Sequence, residues 1–146
     1  MLFAFVLISA LLAPMPTVAG PPEALSFEAE TTIVFVVDAR RLRLVRAWEK
    51  ALHDRYERIP TYRVATLPDD ADLDAVRRRL APRLPEGVSV HLDVGGRIAD
   101  EFDLDTSRPN LLFFDAQGTL FHHAKGRFNR ESFDQLTLQL DSRGSS

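Results

Sequence analysis

Residues 31–39 read TTIVFVVDA, a β-branched run that stays apolar on both of its alternating faces. Successive side chains of a strand point to opposite sides, so both sides of this run need cover. A sheet with one wet face has no place for it. The chain is therefore constrained to a layered α/β architecture, with this strand central and helices packed on either side.

The next segment changes period. Leu44, Val45, Trp48, Ala51, Leu52 and Tyr56 fall on one helical stripe, with Arg43, Arg46, Lys50, Asp54 and Glu57 largely off it. Pro60 is expected to stop this helix. TYRVATL (61–67) predicts a second strand. A second helix follows, capped by Asp69 or Asp70, with Leu73, Val76 and Leu80 inward and Arg77, Arg78 and Arg79 mainly outward. Residues 88–93 predict a third strand, followed by a Gly95–Gly96 turn and a short helix over 98–102. NLLFFD (110–115) is another apolar strand, turning around Gly118 into LFHHAK, and Asn129 caps a last helix carrying Phe133, Leu136 and Leu140. Strands alternating with helices imply a largely parallel sheet, and the closing hairpin adds an antiparallel edge.

Length and charge narrow the function classes. A chain of 146 residues suits one domain, and a formal charge of -3 gives no general pull toward nucleic acid. Residues 2–13 form an unbroken apolar run ended by Pro14 and Pro16, and Thr17-Val18-Ala19 offers small residues before Gly20. This pattern predicts an export signal over 1–19, with a periplasmic or secreted product. No Lys or Arg precedes the run, and it is too short to span a bilayer comfortably. A membrane link is expected only through an uncleaved N-terminus. A single domain is expected over 27–141, with a disordered tail over 142–146.

From Val88 to Leu140 the chain resembles the second half of a thioredoxin-like domain of the TlpA and peroxiredoxin-related kind. VSVHLDVGGRIADEFDL resembles that family's strand, Asp, Gly turn and helix ending in an aromatic residue. TSRPNLLFFDAQGTL resembles its cis-proline strand and following hairpin. The resemblance implies a three-layer sandwich, a mixed central sheet with an antiparallel C-terminal hairpin and helices on both faces. It also implies a cis bond at Pro109. Laid on the family pattern without gaps, Leu42-Arg43-Leu44-Val45 occupies the CxxC position, with Leu42 and Val45 in place of the two sulfurs. Val36 matches the acid that many thioredoxins bury. The chain contains no cysteine, so thiol–disulfide and peroxidase chemistry are excluded, because both need a thiolate.

What remains is a set of charged side chains. Arg40, Arg41, Arg43 and Arg46 cluster at the start of the first helix, where the dipole favours anions and disfavours cations. Arg108 precedes Pro109 and would converge on the same edge if the resemblance holds, giving a candidate site for a carboxylate or phosphate. A solvated arginine-rich face is the plainer alternative. His122 and His123 are adjacent in a strand and point to opposite faces, so they cannot share one metal ion. His53 and His91 lie on other elements. The acidic run Asp69, Asp70, Asp72 and Asp74 lacks the Gly and Glu of a calcium loop. No metal or cofactor is expected.

The favoured expectation is an exported, non-redox module. It would bind an envelope protein, a peptide or a small anion at the edge formed by Arg40, Arg41, Arg43, Arg46, Arg108 and Pro109. An enzyme with cysteine-independent chemistry, in which Asp38 is a weak candidate, and a degenerate oxidoreductase homologue are the alternatives.

Overall fold

The computed structural model describes residues 10–85 and 87–144. Seven strands form one open sheet in the order β2-β1-β5-β4-β3-β6-β7. They are β1 (Met15–Thr17), β2 (Gly20–Glu23), β3 (Thr32–Asp38), β4 (Thr61–Leu67), β5 (Val90–Val94), β6 (Asn110–Phe114) and β7 (Leu120–Lys125). The helices are α1 (Val45–Arg55), α2 (Leu73–Leu80), α3 (Arg97–Glu101) and α4 (Arg130–Gly144). Strands β3, β4 and β5 are parallel neighbours, whereas β6 runs antiparallel to β3 and β7 antiparallel to β6. β1 joins antiparallel to β5 and carries β2 at the far edge.

The central run is sorted by strand alternation into two cores. Ile33, Phe35 and Val37 face a layer built by Trp48 and Leu52 of α1, Val76 and Leu80 of α2, and Phe133 and Leu136 of α4. Val34 and Val36 face the other way, against Ile98 of α3 and the N-terminal residues Leu11, Met15 and Leu25. Two successive β–helix–β crossovers in one direction leave α1 and α2 on the same side. The second face would therefore be thin with the five-residue α3 alone, and the N-terminal segment completes it.

Residues 1–9 of the expected export signal lie outside the described residues, but residues 10–19 are part of the fold. Leu11, Met15 and Val18 are buried, and β1 hydrogen-bonds into the sheet, with the Val18 N–H donating to the Val90 carbonyl at 2.9 Å. Removal after Ala19 would take β1 away. Arg77, expected outward, turns back onto this segment: its Nε donates to the Thr17 carbonyl at 3.0 Å and its Nη2 to the Gly20 carbonyl at 3.2 Å.

Smaller differences have local causes. The cap of α2 is Asp72, whose Oδ1 accepts from the Ala75 N–H at 3.2 Å, rather than Asp69 or Asp70, because a turn from Pro68 to Ala71 delays the helix. The first helix ends at Arg55, ahead of Pro60, where Tyr56 leaves helical geometry. Asn129 caps α4 as expected, its Oδ1 accepting from the Ser132 N–H at 2.8 Å. The helix runs on through Gly144, three residues into the stretch expected to be disordered, and the Arg143 guanidinium lies 3.6 Å from the centroid of the Phe121 ring. Residues 145 and 146 lie outside the described residues. The bond before Pro109 is trans, correcting the cis geometry that the resemblance implied.

Gly95 and Gly96 turn the chain from β5 into α3 with φ of 83° and 67°, in the left-handed region that favours glycine. A Cβ on Gly95 would collide with the Asp69 carboxylate. Asp93, buried in β5, accepts from the Arg97 and Ile98 N–H groups, both at 3.0 Å, and so holds the start of α3. Burial raises its pKa, and those backbone donors oppose the rise.

His91 of β5 lies opposite Thr17 of β1, 3% exposed, with both ring nitrogens lacking a hydrogen-bond partner among the described residues. Its ring stands edge-on to Tyr62 at 5.7 Å. Burial lowers its pKa below the ordinary 6.5, and the charge of Glu23 only partly opposes this.

Two predictions follow from the N-terminal layer. A chain beginning at Gly20 loses three buried apolar side chains, each contributing about 1.5–3 kcal/mol. It should unfold at clearly lower urea than the full chain, and an unchanged midpoint would show that β1 is dispensable. The second concerns pH. Below about 6.5 the unfolded chain takes up a proton that folded His91 refuses, so stability falls as the solution is acidified from pH 7.5 to 5. Chemical denaturation of His91→Leu across that range should give a shallower slope. Some slope remains, because burial also lowers the pKa of His122 and His123.

Candidate functional site

The carboxyl end of β3 organises the site. Asp38 ends the strand and caps a 3-10 turn over Ala39–Leu44, its Oδ1 accepting from the Arg40 N–H at 2.8 Å. Its Oδ2 lies 3.3 Å from Arg40 Nη2 and 3.6 Å from Arg41 Nη1. Burial pushes the carboxyl up, but the Arg40 hydrogen bonds and the two guanidinium charges outweigh it and hold the pKa below the usual carboxylate range. One carboxylate thus serves two of the four arginines singled out in the sequence.

Among the described residues the other two have no acid partner. Arg43 Nη1 donates to the Arg40 carbonyl at 3.2 Å. Arg46 makes no hydrogen bond or ion pair among the described residues. Both line a recess of about 260 Å³ between the start of α1 and the end of α2, together with Arg40 and Arg83. Arg83, in the turn after α2, likewise has no ion-pair partner among the described residues. The remaining lining is Arg63 and the aliphatic side chains of Ala39, Leu42, Leu80 and Leu84.

Beneath the recess lies a charge that sequence reasoning missed. Arg63 of β4 is 6% exposed and lies on the inward face with Ala65 and Leu67. Its Nε donates to both Glu49 carboxylate oxygens, at 3.1 and 3.0 Å, and its Nη2 also bonds Oε1. The signal was available, because strand alternation puts Arg63 on the side of Ala65 and a buried arginine requires an acid from the helix above. Arg83 was missed because it approaches only through the turn after α2.

Leu42 and Val45, at the former CxxC position, are both buried and belong to the core facing α1. The expected convergence of Arg108 takes a different form. Arg108 is exposed, and its Nε donates to Asp105 Oδ2 at 3.3 Å within its own loop. Pro109 is buried and close to α1: its carbonyl accepts from the Gly126 N–H at 2.9 Å, and the Gly126 carbonyl accepts from Trp48 Nε1 at 3.0 Å.

The loop before Pro109 is closed by Asn110, which is fully buried. Its Nδ2 donates to the carbonyls of Asp105 at 2.9 Å, Arg108 at 3.1 Å and Val36 at 3.3 Å, while His123 Nε2 lies 3.0 Å from its Oδ1. The Thr106 carbonyl accepts from the Asp38 N–H at 2.9 Å. Main-chain acceptors at 105, 106, 108 and 109 are therefore all occupied. An extended peptide needs such groups free if it is to add as a strand.

A wider crevice of about 890 Å³ opens at the carboxyl ends of β3, β4 and β5, lined by Asp38, Thr66, Leu67, Gly95 and Gly96 with the first turns of α2. Open α/β sheets offer ligand sites at this edge. Here its acids are committed to structure: Asp38 and Asp72 cap helical turns, and Asp69 packs against Gly95. His122 packs on Phe113 and His123 bonds Asn110, on opposite faces of β7. Among the described residues no group of three His, Asp or Glu side chains is placed to hold a metal ion.

No family model matches the sequence, and no curated protein matches it. Solved structures do match it in shape. The exposed lipoprotein thioredoxin Etrx1 of Streptococcus pneumoniae superposes with a TM-score of 0.64 at 14% identity, over 87% of this chain and 98% of that one. A secreted disulfide oxidoreductase of Mycobacterium tuberculosis gives 0.60 at 16% identity, over 90% and 96%. The N-terminal domain of PilB from Neisseria gonorrhoeae gives 0.59 at 18% identity, over 80% and 82%. With β3, β4 and β5 parallel, a C-terminal antiparallel hairpin and helices on both faces, the chain has a thioredoxin-like fold without a single cysteine.

Proposed function

We propose that this chain is a non-redox thioredoxin-fold domain that acts outside the cytoplasm and binds a small anion in the recess beside Leu42. The observation that carries it is the grouping of Arg43, Arg46 and Arg83 around one cavity with no carboxylate facing them among the described residues. Guanidinium groups hold carboxylate or phosphate in bidentate geometry, and three of them beside a helix start reinforce one another's attraction for an anion. Arg108 and Pro109 lie outside this recess, and the occupied carbonyls around Pro109 favour the anion over a peptide at that edge.

The extracytoplasmic location rests on the apolar run 2–13 together with the exposed and secreted proteins among the structural neighbours. The contribution of Leu11 and Met15 to the second core supports retention of residues 10–19 in the mature domain.

Titration with acetate and inorganic phosphate, followed by amide chemical shifts, tests the site. Both ions should shift residues 39–46 and 80–84, and raising the ionic strength should weaken both. Replacing Arg46 and Arg83 together by Gln removes two charge-assisted bonds and should cost roughly 10- to 100-fold in affinity. Equal titration of the wild type and the double variant would overturn the site.

A further inference from the structure

The recess holds more than charge. Beside its five arginines, part of its lining is aliphatic, formed by Ala39 and Leu42 at the start of the helical segment and by Leu80 and Leu84 around the end of α2. Leu84 is half-buried, so part of its side chain faces the cavity rather than the core. Free inorganic phosphate or acetate would satisfy the arginines and leave the exposed part of Leu84 facing water, beside the nearly buried Ala39, Leu42 and Leu80. A volume of about 260 Å³ also exceeds what a bare oxyanion fills, since a water molecule's share of the liquid is only about 30 Å³.

Resting on the anion site proposed above, we infer that its ligand is an amphiphile: an oxyanion head carrying a short aliphatic or aromatic body. The head meets Arg43, Arg46 and Arg83 at the rim, and the body lies on Leu42, Leu80 and Leu84. The buried Arg63–Glu49 pair beneath does not compete for the head, because Arg63 already donates to both Glu49 oxygens. An apolar body also strengthens the head contacts by excluding water from the guanidinium groups. The ligand thus needs both ends, and neither a simple ion nor a neutral hydrocarbon reproduces it.

A homologous ligand series separates the two ends. Acetate, butyrate and octanoate carry one charge and differ only in methylenes, while octanamide keeps the chain and loses the charge. Calorimetric titration of the full chain should show affinity rising along the carboxylates. Two or three methylenes buried on the leucines supply roughly 10- to 60-fold. Leu84→Asn should flatten that rise, and Arg46→Gln with Arg83→Gln should weaken octanoate to the level of octanamide. Equal constants for acetate and octanoate would overturn the amphiphile and leave the anion site standing. Octanoate and octanamide binding equally well would overturn the anion site itself. No heat with any of the four would overturn both.

Discussion

Everything in this fold depends on burying β3. Its residues from Thr32 to Val37 are all buried, in the middle of the sheet between parallel β4 and antiparallel β6. A strand apolar on both faces stabilises the protein only if both are covered, and the two covers are unequal. Three helices serve one face. A five-residue helix and an N-terminal segment serve the other. The N-terminus is thus drawn into the fold by a demand set twenty residues later.

The same strand delivers the site. Because β3, β4 and β5 are parallel, their carboxyl ends open at one edge, and the turn leaving β3 starts the helical segment that carries the arginines. Asp38 fixes that turn by accepting from Arg40, and the loop ending in Pro109 is tied to it through Thr106 and Asn110. In a thioredoxin-like frame this edge would hold the thiols. Here Leu42 and Val45 join the core instead, so the turn is held by packing rather than left exposed for reaction. The fold persists because the sulfur atoms contributed chemistry and little to the burial of β3.

Much of this was legible in the sequence, for reasons specific to each element. Strands at 61–67 and 120–125 match their expected bounds because alternation and flanking turn residues agree. The stripe through Val45, Trp48 and Leu52 is buried as its period requires. β1 was not legible: a buried edge segment and an export signal have the same apolar composition, and neither carries a period. In the sequence the cap of α2 reads as Asp69 or Asp70, the first acids after the strand, and only the Pro68 turn moves it to Asp72. The geometry of Pro109 came from resemblance alone and proved trans. Of the site, Arg43 and Arg46 could be named from their clustering, whereas Arg83 and the Arg63–Glu49 pair depend on how α2 and β4 pack.

The charge distribution is what favours the proposed anion in the recess. The chain is acidic overall, at -3, yet among the described residues the acids around this edge are already committed. Glu49 accepts from Arg63 with both oxygens, Asp38 serves Arg40 and Arg41, and Asp72 caps α2. The guanidinium groups of Arg43, Arg46 and Arg83 repel one another, and the first two, at the start of a helical segment, also oppose its dipole. An internal carboxylate at Leu42 or Leu84 would relieve this repulsion, and the sequence supplies leucines there. A bound anion is what would relieve such an arrangement, and under the proposal above the hydrocarbon beside the charges would select among anions.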